Sequence, residues 1–169
     1  MTRERHNSLT LIAQPLTGTL YRSPMPRGRY DLADRVYDAW TDAAIDVIVS
    51  LTPHNEFILK SGEDQLAIMK EKGWIVMHYP ITDRQTAKIT DIAQLIRDIV
   101  EHLHSGKKVV IHCSAGIGRT GTVLACVLCV IHEWTSERSI EFLNVLSPSI
   151  GPENQAQVNF VRKFAQERQ

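Results

Sequence analysis

Cys113 and Arg119 have five residues between them, Ser114-Ala115-Gly116-Ile117-Gly118, and an apolar run, Val109-Val110-Ile111-His112, leads into the cysteine. A loop this small and glycine-rich lets the backbone curl and aim its N–H groups inward. The helical pattern that begins near Gly118 or Arg119 adds the partial positive charge of a helix N-terminus. Such surroundings lower a thiol pKa from about 8.5 into the range of roughly 3.5–7.5. Cys113 would then be a thiolate nucleophile at neutral pH. Arg119 offers a planar fork that matches two phosphoryl oxygens, which a lysine cannot do. Thr120 puts a hydroxyl beside the loop, where it could donate to the thiolate or orient water. A phosphate dianion held against a thiolate is the chemistry these types and this spacing suit, with Ser114, Ala115, Gly116, Ile117, Gly118 and Arg119 as the cradle.

Blander readings exist. A cysteine after an apolar strand is most often a buried core thiol, but here Gly116, Gly118, Arg119 and Thr120 all stand in phase with it. Gly116-Ile117-Gly118-Arg119-Thr120-Gly121 also matches the G-x-G-x-x-G dinucleotide fingerprint. That fingerprint needs an acidic residue ending a second strand about 20 residues on. Glu137 and Glu141 stand near that distance, but in a helical pattern with no strand before them. No Gly-Lys-Ser/Thr follows, so the loop is not a Walker A sequence.

The segment from Val109 to Gly121 resembles the signature loop of the cysteine-dependent phosphatases, the protein tyrosine and dual-specificity superfamily. A rhodanese-like loop is shorter than this one. The signature lies in the C-terminal half of a compact chain, which resembles the small dual-specificity branch, kinase-associated or atypical. Classical tyrosine-specific domains are longer, and the low-molecular-weight branch carries its loop near the N-terminus. Leu20-Tyr21-Arg22-Ser23-Pro24-Met25-Pro26 resembles the entry to the domain in kinase-associated and related small phosphatases, where its role is chiefly architectural; Arg22 could line the pocket.

The resemblance implies further roles. The departing alkoxide or phenoxide needs a proton from a carboxylic acid, and the family supplies an aspartate on the loop after the strand that precedes the signature strand. The matching place is His78-Tyr79-Pro80-Ile81-Thr82-Asp83-Arg84, whose one carboxylate is Asp83. Asp91 reads instead as polarity at a helix start, and Arg84 as a surface arginine or a contact for a substrate anion. The family's Q-x-x-F/Y pattern falls on Gln157 and Phe160, which implies that Gln157 positions water for the second step; Glu153 stands where classical members carry another glutamine. His112 should point to the opposite face of its strand and, as in relatives, brace the loop through backbone hydrogen bonds.

The implied function is a phosphomonoester hydrolase, a tyrosine or dual-specificity phosphatase acting through a phosphocysteine. Its partner would be a phosphorylated protein or a small phosphorylated substrate. The loop positions Ser114, Ala115 and Ile117 carry no charge, whereas lipid and inositol-polyphosphate phosphatases tend to place lysines there. A phosphoinositide, inositol phosphate, nucleotide or RNA 5′-phosphate remains an alternative, and a non-catalytic phospho-binding module is the reading from another class. The chemistry calls for no cofactor and no metal.

These residues need a frame to hold them. Thr19 to Arg22 is a short strand candidate. Tyr30 to Ala44 reads as a helix with Leu32, Val36, Ala39 and Trp40 on one face. Ile45 to Leu51 reads as a buried parallel strand, broken by Thr52-Pro53-His54-Asn55. A helix over Gln65 to Lys72 ends at Gly73, and Trp74 to Tyr79 is the next strand. Thr90 to His104 is a helix with Ile92, Leu95, Ile96, Ile99 and Leu103 as its stripe, closed by Gly106. His102 and His104 fall in its last turn, where positive charge is favoured. Lys108 to His112 is the central strand. Helices over Arg119 to His132, Glu137 to Leu146 and Glu153 to Gln166 complete the pattern. Alternating strands and helices predict an α/β fold: a single three-layer domain over residues 1–169, with a mostly parallel twisted sheet of four or five strands covered on both faces. Residues 1–10 should fray. The phosphate loop should sit at the carboxyl ends of the strands.

Composition sets the outer bounds. Lys plus Arg equals Asp plus Glu at 19 each, which gives no general reason to bind nucleic acid or membrane. Hydrophobic residues make up 43% of 169, enough for one core. The richest apolar stretch, Thr122 to Ile131, is too short to span a bilayer, and no signal region follows Met1. Cys113, Cys126 and Cys129 are an odd set and suggest no disulfide framework; the Cys126/Cys129 pair sits mid-helix and reads as core packing. Trp40, Trp74 and Trp134 read as packing residues. A reducing cytoplasm and a monomer are the expected setting.

Overall fold

The computed structural model describes residues 7–14 and 17–168. Five strands form one sheet in the order β1-β2-β5-β3-β4: β1 (Thr10–Ala13), β2 (Thr19–Ser23), β3 (Val47–Ser50), β4 (Ile75–His78) and β5 (Lys108–His112). All neighbours are parallel except β1, which runs antiparallel to β2 at one edge. The mostly parallel α/β sheet expected from the sequence is therefore present. Part of the N-terminal stretch expected to fray lies outside the described residues, but Thr10 already opens a strand.

β5 lies between β2 and β3, with Ser23 and Ser50 both in register with His112. Three strands thus end together, and Cys113 follows immediately at that edge. Side chains alternate between two cores. Leu20, Val47, Val49, Val109 and Ile111 face one helical layer. That layer is built from α4 (Ile89–His104), α5 (Gly118–Ile131), α6 (Ser136–Leu146) and α7 (Gln155–Glu167). Ile48 and Val110 face the other core, with Val36, Trp40, Phe57 and Met69, supplied by α1 (Val36–Asp42), α2 (His54–Ser61) and α3 (Gln65–Glu71). Cys126 and Cys129 are sealed inside α5 as core residues. No helix among the described residues is long and apolar enough to cross a membrane.

Two elements differ from the sequence expectation. The stretch 30–44 is not one helix. The Asp31 carboxylate accepts the backbone N–H groups of Arg27, Arg35 and Val36 at 2.7, 2.8 and 3.0 Å. The chain therefore curls around Asp31 through a 3-10 turn, Leu32–Asp34, before α1 begins. Leu32 is left on the surface, while Val36 and Trp40 enter the core as their spacing predicts. The second difference is α2. Thr52-Pro53-His54-Asn55 ends the strand as expected, but it also starts a helix: Pro53 stands at the cap, and Gly62, with φ +76°, ends the helix.

Helix α5 packs closely on the loop before α7. A Cβ added at Gly121 would lie 2.4 Å from the Cα of Gly151, so only glycine permits this approach. Gly121→Ala should lower stability by about 1–3 kcal/mol, read as a lower midpoint in urea unfolding; an unchanged midpoint would mean that the 151 loop yields freely.

Candidate active site

The cysteine, the arginine and the aspartate singled out in the sequence meet in a pocket of about 130 Å³ at the carboxyl edge of the sheet. Cys113, Ser114, Ala115, Gly118 and Arg119 form its floor, and Tyr30, Lys60, Asp83, Arg84 and Glu153 its walls. A larger groove of about 880 Å³ runs along Ile96, Val100 and Phe164, but it contains none of these groups. Chemistry, not volume, picks the smaller pocket.

The loop is held from below. Ser114 O accepts the Met25 N–H at 3.0 Å, which ties the loop to the segment after β2. Gly116 has φ +71°, and a Cβ there would lie 2.2 Å from Ser23 O; the turn needs glycine on both counts. Among the described residues, no backbone carbonyl takes the N–H groups of residues 115–117. These donors stand at the N-terminus of the 14-residue α5, where an anion is favoured. Cys113 is 3% exposed.

Arg119 is 2% exposed, and each nitrogen has a distinct situation. Nη1 donates to Glu56 Oε2 and to Ile81 O, both at 2.9 Å, and Nη2 donates to Glu56 Oε1 at 2.8 Å. Asp83 Oδ1 lies 3.2 Å from Nη2. Nε makes no hydrogen bond. Glu56 therefore clamps one edge of the guanidinium, and the Nε/Nη2 edge is the one left for a second bidentate partner. Burial pulls the Arg119 pKa down, but the hydrogen bonds to Glu56 and the charges of Cys113, Glu56 and Asp83 outweigh it, and the group stays more firmly protonated than usual. Burial likewise works against the Glu56 carboxylate, yet its bonds to Arg119 and Lys60 hold its pKa below the ordinary value.

Glu56 and Lys60 were not found by sequence reasoning. Lys60 Nζ donates to Glu56 at 2.7 Å and to Ser114 Oγ at 3.0 Å. Both sit on α2, the helix hidden behind Thr52-Pro53. The usable signals were Glu56 four residues before Lys60, a helical ion-pair spacing, and a proline at a helix start.

His112 points away from Cys113, as the strand alternation predicts, into the core beside Trp40 and Phe57. Its Nδ1 lies 3.2 Å from Cys113 O. A carbonyl can only accept, so Nδ1 carries the proton and braces the backbone at the loop's first residue. Burial lowers the His112 pKa to about 4, and the ring is neutral at pH 7.

Other expected residues are placed differently. Gln157 is fully buried and does not reach the pocket. Its Oε1 accepts the Glu153 N–H at 2.8 Å, and its Nε2 donates to Gln85 O at 3.4 Å. Asn154, the cap of α7, donates to Arg84 O at 3.1 Å. The start of α7 thus holds the 81–85 loop from outside, and Glu153 is the residue that lines the pocket. The Thr120 hydroxyl is buried and has no hydrogen-bond partner. Arg22 lies under Gly116 rather than in the pocket wall. Ile117 caps α5, and Arg84 lines the mouth with a left-handed backbone, φ +61°.

The family model "Polymorphic toxin system, DSP-PTPase phosphatase" matches residues 25–133. Human cyclin-dependent kinase inhibitor 3 is 30% identical over 100 residues, covering 59% of this chain and 47% of that protein. The putative tyrosine phosphatase 197R of Invertebrate iridescent virus 6 is 28% identical over 152 residues, covering 88% of this chain and 53% of that one. The chain thus spans about half the length of these curated relatives. Among solved structures, kinase associated phosphatase superposes with a TM-score of 0.84 at 20% identity, covering 94% of both chains. Tk-PTP in its active form superposes with a TM-score of 0.77 at 26% identity, covering 95% of this chain and 97% of that one.

Two outcomes follow from the geometry. Glu56→Gln should cost about 3 kcal/mol, because it leaves the buried Arg119 charge short of its partner; chemical denaturation at pH 7 reads this directly. For His112, the folded pKa lies below the unfolded 6.5, so the unfolded chain binds the proton first. Stability should therefore fall as pH drops from 6.5 toward about 4. His112→Gln should flatten that part of a pH series of thermal melts; an unaltered slope would place the protonation elsewhere.

Proposed function

Because the chain belongs to the DSP-PTPase phosphatase family, we propose that it is a phosphomonoester hydrolase whose reaction passes through a phosphocysteine on Cys113. The observation that carries this reading is the meeting in one small pocket of Cys113, Arg119 and Asp83, which lies against the Nε/Nη2 edge that Glu56 does not clamp.

In the first step the Cys113 thiolate attacks phosphorus. The Sγ–P bond forms, the P–O bond to the leaving group breaks, and Asp83 gives its proton to the departing oxygen. The loop N–H groups and the free edge of Arg119 hold the other phosphoryl oxygens. Asp83, now against Arg119 Nη2, gives up that position to phosphate and remains beside the leaving group. In the second step water attacks phosphorus, the S–P bond breaks, Asp83 takes the water's proton, and phosphate leaves. Glu153 lines the pocket and is better placed than Gln157 to orient that water; Gln157 supports the step by holding the 81–85 loop. Electrostatic stabilisation and positioning supply most of the acceleration. Three free thiols fit work in a reducing compartment such as the cytoplasm.

A phosphorylated protein side chain is the first substrate class, in line with the phosphatases to which the chain is similar. One observation favours the alternative of a more anionic, non-protein phosphate. The signature loop carries no lysine, but Lys60 enters the pocket wall from α2 and Arg84 from the acid loop. These two cations can meet a second anionic group on the substrate in exchange for Glu56, which pairs Lys60, and Glu153, which lines the pocket beside Arg84. Screening Asp83→Ala, which should bind substrate without completing turnover, against phosphopeptides, phosphoinositides and nucleotides separates the two.

Hydrolysis of an aryl phosphate should be lost in Cys113→Ser, and the wild-type pH profile of kcat/KM should be bell-shaped. Asp83→Asn should lower kcat by about 10²–10⁴-fold and remove the alkaline limb. Turnover that survives Cys113→Ser, or a rate that climbs steadily into alkali, overturns the scheme. A wild type that binds phosphotyrosine peptide without hydrolysing it would make the protein a binding module instead.

A further inference from the structure

Arg22 is a buried cation that no carboxylate meets among the described residues. It lies on β2 in register with Ile111 of β5. Strand alternation turns Leu20 and Arg22 toward the layer that carries α5 and Cys113, while Ser23 turns the other way and accepts the Trp40 Nε1–H at 3.1 Å. Arg22 is 4% exposed. Its Nε and Nη1 have no hydrogen-bond partner, and among the described residues it forms no salt bridge. A guanidinium in this state should be strongly disfavoured unless an anion faces it.

Its surroundings give such an anion a place. A Cβ on Gly116 would lie 2.8 Å from Arg22 Nη1, so the guanidinium rests against the underside of the phosphate loop, in the space that the missing side chain leaves. Burial lowers the pKa of Arg22, and the charge of Cys113 is the influence that opposes it.

The remaining charges around Cys113 cancel. In the ionised site, Arg119 and Lys60 are matched by Glu56 and Asp83, to which they are directly paired. Arg84 and Glu153 face the pocket as one cation and one anion. Tyr30 also lines it, and His112 behind the loop is neutral at pH 7. With Asp83 ionised, Arg119 therefore brings geometry for phosphate but little net charge, and Arg22 is the cation left over; when Asp83 carries the proton it delivers, one positive charge of the Arg119–Lys60–Glu56 set adds to it.

We propose that Arg22 is a positioning residue for the phosphatase reaction: a second cation, behind the loop, that keeps Cys113 ionised and helps neutralise the phosphoryl group it receives. The inference rests on Cys113 being the nucleophile. It accounts for Gly116 beyond its turn geometry, since any side chain there would displace the guanidinium. It also gives the strand entering the loop a part in the chemistry, from the side that substrate never touches.

The test reads the sulfur directly and needs no turnover. The rate of Cys113 alkylation by iodoacetamide, a neutral reagent, is followed against pH by mass spectrometry of the Cys113 peptide. Arg22→Met should raise the midpoint by about one pH unit or more, with roughly tenfold less thiolate per unit below it. Arg22→Lys keeps the charge and should stay within about half a unit of wild type. The acid limb of kcat/KM should move with the Arg22→Met midpoint, which a purely structural role would not produce. A folded Arg22→Met with a wild-type midpoint overturns the proposal. Should Arg22→Met fail to fold, the wild type decides by NMR. The Arg22 Nε–H signal, assigned by its loss in Arg22→Lys, should titrate with the alkylation midpoint and be flat in Cys113→Ser; an invariant wild-type signal is the contrary result. A wild-type midpoint in the ordinary thiol range would instead sink the phosphocysteine reading itself, so the two failures are distinguishable.

Discussion

A guanidinium sealed from water must be met by anions or by carbonyls, and the site is arranged around that demand at Arg119. Its side chain is almost fully buried at the first turn of α5, and three groups from two distant segments converge on it. Glu56 comes from α2, the Ile81 carbonyl from the loop after β4, and Asp83 from the same loop. Bidentate pairing of this kind fixes orientation as well as charge. The arginine is thereby held with one edge clamped by Glu56 and with Asp83 against the other. The pairing also carries the α2 helix and the acid loop to the phosphate loop, because each brings a group that the buried charge requires.

The sheet supplies the rigid side of the arrangement. β5 is flanked by parallel neighbours on both sides, and all of Val109 to Cys113 is buried. Cys113 thus leaves the sheet from its most constrained strand. His112 tightens the exit by bonding the Cys113 carbonyl from the opposite core. The Met25–Ser114 bond and the close contact of Gly116 with Ser23 tie the loop to the end of β2. On the far side, α7 grips the acid loop through Asn154 and Gln157. Side chains on the moving parts of a reaction need such support, since a displacement of about 1 Å at a reacting group can cost two orders of magnitude in rate.

The two arginines differ in a way that their burial alone would not suggest. Arg119 is surrounded by partners and confers direction; Arg22, whose Nε and Nη1 meet no partner among the described residues, confers charge. Both lie within the field of Cys113. The unpaired charge lies behind the loop, under Gly116, and not in the pocket wall with Asp83. It also leaves the front of the pocket near neutrality, open to substrates that bring their own charge.

The local pattern of this chain was enough for the parallel sheet, the long amphipathic α4, the apolar α5 and the glycine-rich loop between β5 and α5. These are written in periodicity and in a contiguous motif, which act between near neighbours. Alternation alone put His112 and Cys113 on opposite faces, and the core placement of Cys126 and Cys129 followed from their setting in an apolar helix. Asp31 shows where such reading stops: one carboxylate gathering three backbone N–H groups displaced the start of α1 and left Leu32 outside. Gln157 matched a motif, but its carbonyl oxygen turned to the Glu153 amide and its amide nitrogen to the Gln85 carbonyl. Glu56 was the larger omission, since nothing near it in the chain signals a buried arginine 63 positions away. Type and spacing determined which residues could do phosphate chemistry; the tertiary structure alone decided which charges are paired and which are left over, because that balance is struck between segments that meet only when the chain has folded.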